Sequence, residues 1–238
     1  MYKFQRPDTI LKSLAALILL SLPPSAPAVE VQNHGLWFEH WLCETFFDGY
    51  RPPRYTQKWD IPAEVNTRHG GLPVNPKASK LGSPVALGDA LRQFDISRGQ
   101  ESFILVAGFW EQTTATTKAW ANVQTVTVTP ETWARLWHPV TRSDLERLDA
   151  VIKDTTLTLE ETRQRAQAIK SQPPFTEAVI TLNPKIDRSQ RRLQCSLSFN
   201  SFFVHLLPGT SRTRQAKPSV WGVPVPSVPE TRPRTFKK

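Results

Sequence analysis

Apolar positions recur at helical spacing over residues 35–48, where Phe38, Leu42 and Phe46 stand four apart beside Trp37 and Trp41, predicting a helix that buries one face. Arg51-Pro52-Pro53-Arg54 ends it, because proline disfavours helix in the residue before it and lacks the donor that would extend one. Residues 55–82 are short extended stretches broken by Pro62, Gly70-Gly71, Pro73 and Pro76, and predict a hairpin with limbs 57–65 and 72–79 around a turn at 66–71. Ser83-Pro84 has the form of an N-cap and a first-turn proline, predicting a helix over 84–96 with Leu87, Leu91 and Phe94 inward. The uninterrupted apolar run Phe103 to Trp110 predicts a central strand covered on both faces, and the Val/Thr-rich residues 121–129 a second strand.

Helices are predicted at 130–138, at 141–154 from the capping box of Thr141 and Asp144, and at 158–171 from that of Thr158 and Glu161. Strands at 177–182 and 193–203 are expected to flank the polar segment 183–192, and no internal repeat is found. From Pro208 onward there are six prolines and seven basic residues against one acid, Glu230, which reads as an extended basic tail over 208–238. The order of elements predicts an α/β or α+β domain over 29–207, with a mixed central sheet flanked by helices.

Residues 1–28 read as a secretory signal: Lys3, Arg6 and Lys12 lead, Leu14 to Leu22 is uncharged and apolar, and Ala26-Pro27-Ala28 is a small-x-small cleavage pattern. The apolar run is about ten residues, half of the roughly twenty that a permanent span needs, so no permanent membrane span is expected. The expected location is periplasmic or secreted, with cleavage near Ala28; a start further downstream would instead leave a cytoplasmic protein. Removing the segment takes three bases and Asp8, lowering the formal charge from +9 to +7, so the positive excess belongs to the folded protein. The composition, 39% hydrophobic with 8 Trp and 12 Phe, supplies a core and excludes collagen-like, coiled-coil and multi-span membrane classes. Cys43 and Cys195 are open to either a disulfide or two buried thiols.

Cysteine and histidine spacing offers no zinc site, and no Walker loop, dinucleotide fingerprint or Gly-x-Ser-x-Gly elbow appears, so no nucleotide cofactor is expected. The candidate chemistry lies in Glu44, Asp60, Glu64 and Lys77 with Lys80. Carboxylates hold hard cations such as Mg²⁺ through oxygen, and a lysine beside them stabilises phosphate charge. Asp60 on one hairpin limb and Lys77 on the other can converge, with Glu44 arriving from the preceding helix. A turn cap at Asp60 and a solvated lysine at 77 are the plainer alternatives. Trp110, Trp120, Trp133 and Trp137 read as core residues, and His40 as a polar surface group.

The blocks Lys58 to Glu64, Leu72 to Lys77, Leu87 to Phe94 and the strand into Gly108-Phe109-Trp110 together resemble restriction-endonuclease-like nucleases of the PD-(D/E)xK superfamily, over roughly residues 36–205. Asn183 to Leu197 is similar to a segment of bacterial restriction-type proteins. The resemblance implies a mixed sheet flanked by helices and Mg²⁺-dependent endonuclease cleavage of double-stranded DNA, with a homodimer as a further expected assembly. It implies that Asp60 is the first metal-binding aspartate, Lys77 the catalytic lysine and Glu44 the acid from the first helix. Asn75 stands where that family carries Asp or Glu, and Glu64 is the expected substitute; failing that, the fold would be a degenerate nuclease. Arg92 and Gln93, with Lys185, Arg188, Arg191 and Arg192, are the candidate nucleic-acid contacts. The competing expectation is an exported, non-enzymatic basic protein that binds an acidic envelope partner through its positive surface.

Overall fold

The computed structural model describes residues 27–53, 58–114 and 117–227. The expected signal segment lies outside the described residues except for Pro27 and Ala28, which begin helix α1 (Pro27–Phe46). Among the described residues no helix is long and apolar enough to cross a membrane.

The uncharged run predicted to be a central strand forms β3 (Phe103–Gln112), whose first eight residues are all buried. Its alternating side chains serve two cores. Phe103, Leu105, Ala107 and Phe109 join the larger one, while Ile104, Val106 and Trp110 join a smaller one under α1. β1 (Val74–Lys80) pairs with β3 in parallel, and β4 (Lys118–Val128) pairs with β3 antiparallel, giving a mixed three-stranded sheet. Phe38, Leu42 and Phe46 of α1 cover one face, as their spacing predicts.

The second sheet is antiparallel, in the order β2 (Val85–Asp89), β6 (Arg191–Leu197), β5 (Thr181–Ile186). Among the described residues the protein is therefore α+β, with two three-stranded sheets and a further two-stranded hairpin, where one mixed central sheet was expected. α2 (Ala90–Ser97), α3 (Pro130–Trp137), α4 (Arg142–Lys153), α5 (Leu159–Lys170) and α6 (Phe199–Leu206) complete it. Both predicted capping boxes are formed: Thr141 and Asp144 open α4, and Thr158 and Glu161 open α5, each pair satisfying two end donors reciprocally.

Four expectations are corrected. The helix expected over 84–96 is a strand followed by a shorter helix, since buried Val85 and Leu87 alternate with more exposed neighbours, Val85, Ala86, Gly88 and Asp89 pair with β6 around an irregularity at Leu87, and Asp89 caps α2 by accepting from Arg92 N at 2.9 Å. Of the predicted limb 57–65, residue 57 lies outside the described residues and 58–65 do not form a strand: Ile61 makes a single bridge to Val74, and β1 takes its pairing from β3. Residues 183–186 and 191–192, expected in a polar connection, lie in β5 and β6, and Ser198 caps α6 where the strand 193–203 was expected to continue. The chain after Pro208 is not a free tail as far as residue 227. Gln215 N donates to Ala121 O at 2.7 Å and its side chain accepts from Val123 N, Asn122 donates to Ser211 O and Thr213 O, and Val220 in the hairpin β7 (Ser219–Val220)–β8 (Val223–Pro224) is fully buried. This segment straps the outer edge of β4, which would otherwise offer unpaired backbone groups to another chain. The last residues of the expected tail lie outside the described residues.

Trp110, Trp120, Trp133 and Trp137 are core residues, and His40 is exposed, as expected. Cys43 and Cys195 are free thiols, one in each core.

Candidate metal and phosphate site

β1 lies at the edge of its sheet, and the bridge from Ile61 to Val74 extends that edge by one residue. The bridge is antiparallel, with Ile61 N donating to Val74 O at 3.0 Å and Val74 N to Ile61 O at 2.8 Å. Because paired positions in such a ladder move in opposite directions, pairing 61 with 74 sets Asp60 opposite Asn75. Ile61 and Val74 turn into the smaller core, so Asp60 and Asn75 turn the other way, where Lys77 follows two residues on.

The Lys77 ammonium closes this arrangement. It donates to Asp60 Oδ2 at 3.0 Å and makes a short hydrogen bond to Asn75 Oδ1. The side chains of Lys77 and Asp60 are 18% and 30% exposed, so the pair sits at a rim that solvent reaches. Asn75 is 4% exposed. A cation thus already rests between a carboxylate and an amide oxygen, both hard donors of the kind Mg²⁺ takes.

The loop that returns the chain from Asp60 to β1 is held by Asn66, which was not singled out in the sequence. Its side chain is fully buried, donates to His69 O at 3.1 Å and to Leu72 O at 2.7 Å, and accepts from His69 N at 3.1 Å. Gly70 and Gly71 turn the loop at φ 97° and 65°, the left-handed region that side chains resist.

The acid that α1 brings toward the site is Glu39, where Glu44 was expected. Burial raises the Glu39 carboxyl above its ordinary value, the Asp60 charge raises it further, and Lys77 and Arg51 partly offset both. Burial, and then the charge of Glu39 one turn before it, push the Cys43 thiol up to about 11. Glu44 is exposed and pairs with Arg51, away from the Asp60–Lys77 contact. The signal for Glu39 was available: it precedes Cys43 by four positions and flanks the buried stripe, whereas Glu44 lies one residue beyond Cys43 on the solvent side.

Glu64 is exposed in the turn after Ile61. Among the described residues no three His, Cys, Asp or Glu side chains gather as a metal-holding group. The oxygen set at the rim is Asp60 and Asn75, with the Glu39 carboxyl electrostatically coupled to it.

The expected nucleic-acid contacts divide. Arg92 is half-buried, its guanidinium close enough that a Cβ on Gly88 would sit 3.3 Å from it. Gln93 is 2% exposed and its carbonyl accepts the Trp133 indole N–H at 3.1 Å, so it is corrected from a surface contact to a core residue. Arg191 is likewise structural: its guanidinium donates to Asp154 O, to Leu157 O at 3.0 Å and to Thr162 Oγ1 at 3.2 Å, tying β6 to the α4–α5 connection. Lys185, Arg188 and Arg192 are exposed.

Compared with protein-family models, curated proteins and solved structures, the chain gives no significant match.

Proposed function

We propose that the protein is a divalent-metal-dependent endonuclease that hydrolyses phosphodiester bonds in DNA, with a restriction-endonuclease-like arrangement of its site. The observation that carries this reading is the Lys77 ammonium shared between Asp60 and Asn75 at the rim of the mixed sheet.

The donors suit a hard cation. Mg²⁺ is commonly held by one or two carboxylates, with water and substrate phosphate completing its shell. Asp60 would be the principal ligand, Asn75 Oδ1 a neutral second donor, and Glu39 the second carboxylate. Glu39 takes the place that Glu44 and Glu64 held in the sequence reading. A bound Mg²⁺ would supply Lewis-acid stabilisation of the charge that builds on the scissile phosphate.

Lys77 is the residue with two roles. Its three donors allow it to release one partner and turn a proton toward a phosphate oxygen, stabilising the negative charge of the transition state. Its remaining contact keeps the ammonium at the rim, where an attacking water can be oriented. Asp60 fixes the lysine in position until substrate arrives.

Asn75, and the lack of a three-acid cluster among the described residues, favour a second reading, in which the same fold binds an acidic partner without cleaving it. A supercoiled-plasmid assay with and without Mg²⁺ separates the two: nicking that requires the metal supports the nuclease, and metal-independent binding with no nicking supports the binder.

A further inference from the structure

The basic residues of the β5–β6 hairpin, together with Arg163 and Lys170 of α5, fall into two groups. Three are consumed by the fold. Lys170 donates to Leu182 O at 3.0 Å and Arg163 to Ile186 O at 2.9 Å, so α5 seals the free edge of β5, while Arg191 ties β6 to the α4–α5 connection. The other three, Lys185, Arg188 and Arg192, are exposed and have no ion-pair partner among the described residues.

Two of these stand in an unfavourable relation. In the β5–β6 register Lys185 lies directly opposite Arg192, and like charges so placed repel. Among the described residues neither forms an ion pair that would relieve it. The acid in the connecting turn, Asp187, is consumed locally: it accepts from Ser189 N at 2.7 Å, Ser189 Oγ at 2.6 Å, Gln190 N at 2.9 Å and Gln190 Nε2 at 3.0 Å. The hairpin therefore presents two facing cations on one sheet face and a third at its tip. Behind them on the same face Asn183 stands opposite Gln194, and Gln194 opposite Asp89 at the N-cap of α2.

We propose that this face of the β5–β6 hairpin docks the phosphate backbone of duplex DNA, with Lys185, Arg188 and Arg192 each taking a phosphate. Charge complementarity selects the occupant: a dense polyanion turns the Lys185–Arg192 repulsion into shared attraction and releases condensed counterions. A lipid surface fits less well. The large apolar side chains exposed among the described residues, Leu36, Val204 and Val223, are all elsewhere, and electrostatic membrane docking draws on clusters of four to eight basic residues. The choice of DNA as the polyanion rests on the nuclease reading; the surface itself needs no catalysis.

The test is fluorescence anisotropy of a labelled 20-base-pair duplex titrated with the full chain in EDTA, from about 50 to 200 mM salt. The Lys185→Gln/Arg192→Gln variant is expected to lower the slope of log affinity against log salt by about 1.8 and to weaken binding roughly tenfold to a hundredfold at 0.1 M salt. An Arg135→Gln/Arg147→Gln variant, which removes the same charge from α3 and α4, should bind as the unaltered protein does. Circular dichroism and a melting temperature no lower than that of the unaltered protein establish that the hairpin variant is folded. An unchanged slope and affinity overturns the proposal. So does an equal loss in the Arg135/Arg147 variant, or loss of binding to phosphatidylglycerol vesicles with DNA binding intact. An unaltered protein that binds the duplex through the hairpin in EDTA but does not nick plasmid in Mg²⁺ upholds this surface while refuting the nuclease.

Discussion

Asp60 and Lys77 meet at 3.0 Å across seventeen positions of sequence because one backbone bridge, Ile61 to Val74, lays Asp60 against Asn75 two residues ahead of the lysine. The buried amide of Asn66 holds the loop between the two limbs, and the burial of Ile61 and Val74 anchors the bridge. The Asp60–Lys77 rim and the smaller core are therefore mechanically coupled: what loosens α1 against β1 also loosens the rim.

The tightest point of that core is Gly108. A Cβ there would stand 2.6 Å from Trp120 Cζ3 and 3.0 Å from Phe38 Cζ, both rings being buried. Gly108→Ala is expected to cost about 2–3 kcal/mol through forced displacement of the two rings. Gly35→Ala in α1, where a Cβ meets nothing within 4 Å, should instead stabilise by roughly 0.5–1 kcal/mol. Urea unfolding of both variants checks the contrast.

Glu39 makes stability depend on pH. Its carboxyl has a raised pKa in the folded protein, chiefly from burial and then from Asp60, so the native state holds a proton that the unfolded chain releases near 4.5. Folding stability from this group is present below that value and is lost as pH rises through the raised one. Glu39→Gln should flatten this part of the stability profile and be relatively more stable toward neutral pH. Melting temperatures of both proteins across the acid-to-neutral range measure it, and parallel profiles would contradict it.

The Lys185–Arg192 pair carries its own thermodynamic signature. Neutralising one member, as in Arg192→Gln, should raise stability by about 0.2–1 kcal/mol, because cross-strand repulsion disappears and no ion pair is broken. Thermal melts at low and high salt should show the gain shrinking as salt screens the charges.

The strap beyond Pro208 contributes to the fold through Val220, which is fully buried in the smaller core. Val220→Ala is expected to cost about 2 kcal/mol from lost burial and the cavity left behind. A free tail would register no change in chemical unfolding.

What was legible in the sequence was what is encoded locally. The run Phe103 to Trp110 announces a strand buried on both faces, and the capping boxes at Thr141 and Thr158 fix two helix starts within a residue. Ser83-Pro84 misled because a helix-start signature competed with a strand pairing whose partner, β6, lies more than a hundred residues away. Ser198 was passed over because the apolar residues after it continue a strand-like run, although its hydroxyl accepts from Ser201 N at 3.0 Å. At the rim, the residue types of Asp60, Asn75 and Lys77 were readable, but their meeting depends on a one-residue bridge that no periodicity signals. Gln93 and Arg191 look like surface groups by type, and only the packing of Trp133 and the α4–α5 connection shows them to be internal.

The rate of supercoiled-plasmid nicking in Mg²⁺ decides whether the Asp60–Asn75–Lys77 rim cleaves DNA with a bound divalent cation. Nicking is expected to stop in EDTA and to fall by about 10²–10³-fold in both Asp60→Ala and Lys77→Ala, the scale on which losing one transition-state contact acts. Nicking that persists undiminished in both variants, or a folded unaltered protein that leaves the plasmid intact in Mg²⁺, would contradict it.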